Sequence, residues 1–237
     1  MAKKTIKNIE NYKAVDVLAL AIEVYDFQGF IRSGEGYTQV NQETGEVTGK
    51  KEDNKTLVLG RINDNIMPQA ESLQKAQTIM DKFNGRFMLK KLQGGISNFE
   101  KSVSDAFSGT NITNFHVSVI ASIPHMNEVD KKRQTVRDKI EAVRFDSDFF
   151  GTQRQRYDLH VEVIDVKFVQ TTGVYMITSI HNNKDIIKFW WRDQPDLSDL
   201  LDGKTVHIRG TVNKHEDSKY SNAKETMLNR VKVLSAT

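Results

Sequence analysis

The sequence of 237 residues contains no cysteine, and this absence excludes several classes of functional site. Without thiols the chain has no disulfide framework, no thiolate zinc site and no cysteine nucleophile. No apolar run approaches the roughly 18 residues that a transmembrane helix requires, and the N-terminal segment lacks the features of a signal peptide. We therefore expect an intracellular protein of the cytoplasm.

Histidines are also few, and they are scattered without the spacing of metal ligands. The six are His116, His125, His160, His181, His207 and His215. Residues 45–50 and 34–36 contain glycines, but they depart from the phosphate-loop and dinucleotide-binding patterns, so we interpret them as turns. We expect no metal, no cofactor and no enzymatic activity.

The charge balance is close to even, with 34 Lys and Arg against 31 Asp and Glu, a net charge of +3. This falls short of the strongly basic balance of proteins that bind duplex DNA by charge alone. A nucleic-acid partner is therefore compatible with the composition without being required by it. Any selectivity must come from how the charges are arranged.

The first part of the chain, residues 1–125, is predicted to be an α+β domain. Helical spacing of apolar residues predicts helices from about residue 15 to Gly29, over 73–83, after Ser97 as far as Gly109, and over 129–143. Strands are predicted over 37–41, 56–62, 86–92 and 115–123, the first two joined by a long polar loop.

Two of these predicted helices have recognisable ends. Asn84-Gly85 is typical of a C-terminal cap and would close the second helix. Ser97 and Glu100 have the spacing of a capping box and would open the third. Residues 126–150 are interpreted as a helical linker to a second domain.

Residues 151–237 carry a different pattern, in which five strands alternate with turn residues. The strands are predicted over 157–169, 174–181, 185–192, 205–214 and 225–234, with a short helix over 195–201. In the first strand the apolar set slips by one residue after Val163, as a β-bulge would require. This order of elements is the topology of a five-stranded OB-type barrel.

Several motifs in this region carry a resemblance to a known class of protein. They are a Gly-x-x-x-x-Arg opening at 151–156, Gly173-x-Tyr175, a Lys-Phe-Trp-Trp strand, a Gly-Lys-x-Val-x-Ile-x-Gly-Thr-Val strand and a closing Glu-Thr-x-Leu-x-Arg-Val-Lys-Val. Residues 151–237 thus resemble the OB-fold modules of phage-encoded single-stranded DNA-binding and replication proteins. The first 150 residues do not share this resemblance.

The resemblance implies a non-enzymatic protein that binds single-stranded nucleic acid, DNA first and RNA as an alternative. It would act in phage or viral DNA replication, recombination or repair, in the host cytoplasm. The N-terminal domain would contact replication proteins or a second copy, with no membrane partner. Because a fold does not determine its function, the alternative is an adaptor subunit whose barrel docks protein.

Aromatic faces and cations are the groups that hold single strands, and stacking is worth about 1–3 kcal/mol per base. On the third strand Ile187, Phe189 and Trp191 are predicted to face inward, which leaves Lys188 and Trp190 outside. On the fifth strand the predicted inward set is Met227, Val231 and Val233.

The second predicted strand supplies the other half of the expected binding face. With Val174, Met176 and Ile180 inward, it would present Tyr175, Ile177 and His181 outward. Tyr175 and Trp190 are therefore the stacking candidates, and His181 shares their surface. The alternative is that one tryptophan plugs the barrel end while the other packs against the N-terminal domain.

Cations around this face are the candidates for phosphate contacts. Those nearest to it are Lys188, Arg192, Arg209 and Arg230, and those in flanking segments are Arg154, Arg156, Lys214, Lys219 and Lys224. Tyr220, between the fourth and fifth strands, would clamp a base or pack against its own loop. For each cation taken singly, the alternative is a solvated surface charge.

Overall fold

The computed structural model describes residues 9–40, 47–109, 111–192, 203–219 and 221–236. The chain divides into two compact units, Met1–Asp130 and Lys131–Thr237, and the division falls inside a helix. Among the residues described, no helix is both long enough and apolar enough to cross a membrane.

The first unit is α+β, as predicted, and consists of helices and one small hairpin. A short 3₁₀ helix, Ile9–Asn11, precedes the helices, which are α1 (Ala14–Gln28), α2 (Asn54–Asn63), α3 (Ala70–Leu92), α4 (Asn98–Ser108), α5 (Asn114–Ile120) and α6 (Ile123–Val143). The antiparallel hairpin consists of β1 (Tyr37–Val40) and β2 (Val47–Lys51). Helix α1 is buried on nearly all sides and forms the centre of the core.

The predicted end of α1 at Gly29 is confirmed, and a buried asparagine ties this end to α2. Gly29 has a φ of 76°, a conformation that favours glycine. The Asn54 side-chain amide donates to the Gly29 carbonyl at 2.9 Å and its Oδ1 accepts from the Ile31 N–H at 2.9 Å. Asn54 is thus a buried polar residue with its hydrogen bonds satisfied.

The predicted strand over residues 56–62 is wrong, because this segment lies in α2. Asp53 accepts from the Thr56 N–H at 2.9 Å and so caps the helix, which buries Val58 and Ile62 four residues apart. The strand that pairs with β1 is β2, in the segment that we expected to be a loop.

Two further strand predictions are wrong, because these segments are also helical. Helix α3 continues through Asn84-Gly85 and includes residues 86–92, because Phe83 and Phe87 extend its buried face by one more turn. Residues 115–123 form α5 and the start of α6, and Thr113 caps α5 by accepting from the His116 N–H at 3.3 Å.

The capping box that opens α4 is confirmed. Ser97 accepts from the Glu100 N–H at 3.3 Å, and Glu100 Oε2 accepts from the Ser97 N–H at 3.0 Å. Lys90 of α3 also donates to Glu100, whose side chain is 12% exposed. The hydrogen bond from Lys90 and those from Ser97 lower the pKa of Glu100 from 4.5 to about 2.

The second unit is a closed five-stranded barrel, so the predicted fold class is confirmed. Its strands are β3 (Arg156–Val169), β4 (Val174–His181), β5 (Asp185–Trp191), β6 (Thr205–Asp217) and β7 (Lys224–Ala236). They close in the order β3-β4-β5-β7-β6, with β5 and β7 parallel and the other pairs antiparallel. The helix predicted over 195–201 lies outside the described residues.

The strand register of the barrel shifts once between β3 and β4 and three times between β6 and β7, and two of these bulges concern the predictions. The predicted one lies between Val163 and Asp165 of β3. β3 pairs with β6 only before this bulge, over 156–162, and with β4 on both sides of it, over 161–169. A second bulge lies in β7, where Arg230 has a φ of 50° and the register against β6 shifts opposite Gly210. A side chain on Gly210 would approach Leu228 and Val231 to 3.1 Å.

The second bulge explains why the predicted phase of β7 is partly wrong. Leu228, not Met227, lies in the barrel core, whereas Val231 and Val233 pack against that core as expected. The extra residue at Arg230 changes the alternation between Leu228 and Val231.

We predict that Glu100→Gln destabilises the first unit in a pH-dependent manner. The folded-state pKa of Glu100 is lowered, so its stabilisation is complete above pH 4.5 and is lost as the pH falls towards 2. At pH 7 the variant should be about 1–2 kcal/mol less stable in urea, measured by helical circular dichroism. The gap should close between pH 4.5 and 2.

Glu71→Gln is the matched control, since Glu71 forms an exposed pair with Lys75 on α3. Exposed pairs contribute little, so this variant should track the unchanged protein at every pH. A gap for Glu100→Gln that stays constant from pH 7 to 2 would refute the assigned ionic role.

Candidate nucleic-acid interface

A groove opens where β5 and β7 part. The two strands pair from Ile186 opposite Glu225 to Phe189 opposite Leu228, and beyond this point β7 pairs only with β6. The groove has a volume of about 780 Å³, and its lining consists of Thr172, Val174, Trp190, Trp191, Arg192, Arg230, Val231, Lys232 and Val233. We call it the indole groove.

Both tryptophans of the chain line the indole groove, in different ways. Trp190 faces outward and is 46% exposed, as predicted. Trp191 packs against the barrel core, next to Phe189, also as predicted. Since it nevertheless lines the groove, Trp191 offers an indole surface that the sequence interpretation did not assign to binding.

The predicted orientation of β4 is wrong, and Tyr175 does not share a face with Trp190. Tyr175 pairs with Trp191, and Trp190 pairs with Met176, so Tyr175 lies on the same side of the sheet as Trp191. Ile177, on that side, belongs to the barrel core, whereas Met176 does not. The inward residue Ser179 is polar, but its hydroxyl donates to the Ile187 carbonyl at 3.0 Å.

This orientation creates an aromatic row across three strands. Phe168 of β3 pairs with Tyr175 of β4, which pairs with Trp191 of β5. The Phe168 and Tyr175 rings lie 5.0 Å apart, and half of Phe168 is exposed. The row ends at Trp191, so it adjoins the indole groove.

Three cations on the groove wall are available to a ligand. Arg192 and Arg230 were predicted, and Lys232, which was not, lines the groove with them. All three side chains are exposed. Within the described part of the chain, no carboxylate forms an ion pair with any of these three.

Lys188 has a structural partner. Its ammonium lies 2.6 Å from Glu225, whose carboxylate is 4% exposed, while Lys188 itself is 23% exposed. A carboxylate buried this deeply requires a nearby cation. Lys188 therefore neutralises Glu225 and does not line the indole groove.

His181 lies at the other end of β4, away from the groove. It pairs with Asp185, whereas Tyr175 pairs with Trp191, and six residues of strand span about 20 Å. Its Nδ1 lies 2.7 Å from the His160 carbonyl oxygen, and its ring meets Phe150 edge-on. The structure thus separates His181 from the other aromatic candidates.

The remaining candidates that the structure describes do not line the indole groove. Arg209 binds Asp158 through two hydrogen bonds of 2.5 and 2.7 Å, and Lys214 pairs with Glu216. Arg154, Arg156 and Lys219 are exposed, and Arg156 lies with Arg209 in a second groove. Tyr220 lies outside the described residues.

We predict that Lys188→Met lowers the stability of the barrel by about 3 kcal/mol, because it leaves Glu225 buried and unpaired. Urea unfolding followed by tryptophan fluorescence measures this loss. Lys214→Met, which breaks an exposed pair, should change it by less than about 1 kcal/mol. Unchanged stability of Lys188→Met together with weaker oligonucleotide binding would instead make Lys188 a ligand contact.

The groove joins two indole surfaces to three cations that have no carboxylate partner among the described residues, a combination that suits a flexible polyanion with aromatic bases. Among the described residues there is no cluster of three or more His, Asp or Glu that could hold a metal. No family model, no curated protein and no solved structure matches the chain.

Proposed function

We propose that the barrel binds single-stranded nucleic acid, DNA in the first instance, in the indole groove. The observation that carries this proposal is a half-exposed Trp190 beside Arg192, Arg230 and Lys232, three cations without an acidic partner in the described chain. The protein would act without catalysis in DNA replication, recombination or repair. The resemblance of residues 151–237 to phage replication modules suggests that setting.

The groove supports binding with little sequence preference. A base stacks on an indole through its aromatic face, and every base has such a face. Each stacking contact is worth about 1–3 kcal/mol. The three cations would contact phosphates and release counterions from the strand. With about 0.7 ion released per contact, the logarithm of the affinity should fall with the logarithm of the salt concentration with a slope near −2.

The first unit is proposed to contact replication proteins or a second copy of the chain. Several apolar side chains on its helices are exposed, among them Phe27 of α1 and Met88 and Leu92 of α3. Exposed apolar groups on a helical surface are typical of contact regions.

We predict that Trp190→Ala weakens binding of a single-stranded oligonucleotide of about 16 nucleotides by at least tenfold, because the most exposed stacking surface is lost. Fluorescence anisotropy of a labelled oligonucleotide measures the affinity. Trp190→Phe should recover most of it. Phe145→Ala removes an aromatic ring that is 83% exposed and does not line the groove, and it should have no effect.

The proposal is overturned if the unchanged protein shows no salt-sensitive binding of single-stranded DNA or RNA, or if Trp190→Ala binds as tightly as the unchanged protein. The apolar floor of the groove, Val174, Val231 and Val233, favours protein docking as the alternative. In that case a partner protein, and no oligonucleotide, would quench the tryptophan fluorescence.

A further inference from the structure

A second groove adjoins the indole groove and shares a residue with it. Its lining consists of Arg156, Tyr157, Asp158, Arg209, Lys232 and Leu234, and its volume is about 440 Å³. Lys232 lines both grooves, so the two are adjacent on the barrel surface at this residue.

The second groove runs across the strands. Lys232 of β7 pairs with Arg209 of β6, and Arg209 pairs with Asp158 of β3. Neighbouring strands lie about 4.8 Å apart, so this row extends about 10 Å from Lys232 to Asp158. Arg156, two residues before Asp158 on β3, has its side chain on the same face of the sheet.

Asp158 holds Arg209 in the geometry in which a guanidinium binds phosphate. Arg209 donates to both carboxylate oxygens, at 2.5 and 2.7 Å. Arginine makes the same bidentate contact to phosphate. The side chains of Arg209 and Asp158 are 48% and 44% exposed. An exposed pair of this kind contributes little to stability, so a phosphate can replace the carboxylate at small cost.

We propose that the second groove is a phosphate subsite that extends the indole groove. Asp158 binds the Arg209 guanidinium until a phosphate of a nucleic-acid strand displaces the carboxylate. Arg156 and Lys232 provide the other two cations of the subsite. This inference rests on the proposed function. It predicts that a strand leaves the tryptophans by way of β7 and continues over β6 to β3.

The test compares oligonucleotides of about 4 and about 16 nucleotides, the limits of the usual site sizes for one OB barrel, on the full chain. For the long one, Arg209→Gln should weaken binding about fivefold and make the salt slope less negative by about 0.7. Asp158→Asn should tighten its binding about threefold. Neither variant should change binding of the short oligonucleotide, which fills the indole groove alone.

Two variants at the other end of the barrel control for net charge. Lys184→Gln, in the turn between β4 and β5, removes one positive charge, and Asp217→Asn, at the end of β6, removes one negative charge. Both should bind the long oligonucleotide like the unchanged protein. A change as large as that of the groove variants would reduce the effect to net charge and overturn the subsite.

The outcomes separate this inference from the proposal on which it rests. If both oligonucleotides bind and quench tryptophan fluorescence, but Arg209→Gln and Asp158→Asn leave affinity and salt slope unchanged, the subsite is refuted and the indole groove stands. If neither oligonucleotide binds the unchanged protein, both are refuted.

Discussion

The parting of β5 and β7 is the constraint on which the candidate site depends. Parallel pairing holds the strands together as far as Phe189 and Leu228. β7 pairs with β6 on both sides of its bulge at Arg230, and beyond Leu228 it pairs with β6 alone. Gly210 makes the bulge possible, since a side chain there would meet Leu228 and Val231. The groove therefore receives Trp190, Trp191 and Arg192 from the end of β5, and Arg230 and Lys232 from β7.

Much of the barrel could be predicted from the sequence because its signals are local. Strand alternation, the slip after Val163 and the outward position of Trp190 depend on neighbours along the chain, as does the capping box at Ser97. The inward face of β4 could not be predicted, because both of its faces are partly buried. The alternation of apolar and polar residues then does not distinguish the two faces. The place of Lys232 in the groove could not be predicted either, because it depends on the parallel pairing of β7 with β5, a strand distant in sequence.

The cations of the barrel differ in whether a carboxylate pairs with them and in how deeply that carboxylate is buried. The net charge of the chain alone therefore says little about binding. Lys188 neutralises a buried carboxylate and so belongs to the fold, whereas Arg192, Arg230 and Lys232 line the indole groove without one in the described chain. Arg209 is intermediate, because its carboxylate partner is exposed and can be displaced. A net charge of +3 therefore conceals a locally cationic groove.

Contact between a nucleic-acid strand and the tryptophans is the most direct test of the proposed interface. The chain has two indole N–H groups, so a ¹⁵N–¹H spectrum of the full protein contains two indole signals, which Trp190→Phe and Trp191→Phe assign. On titration with single-stranded DNA, we expect both signals to move, that of the more exposed Trp190 further. Binding that leaves both signals in place would contradict the account.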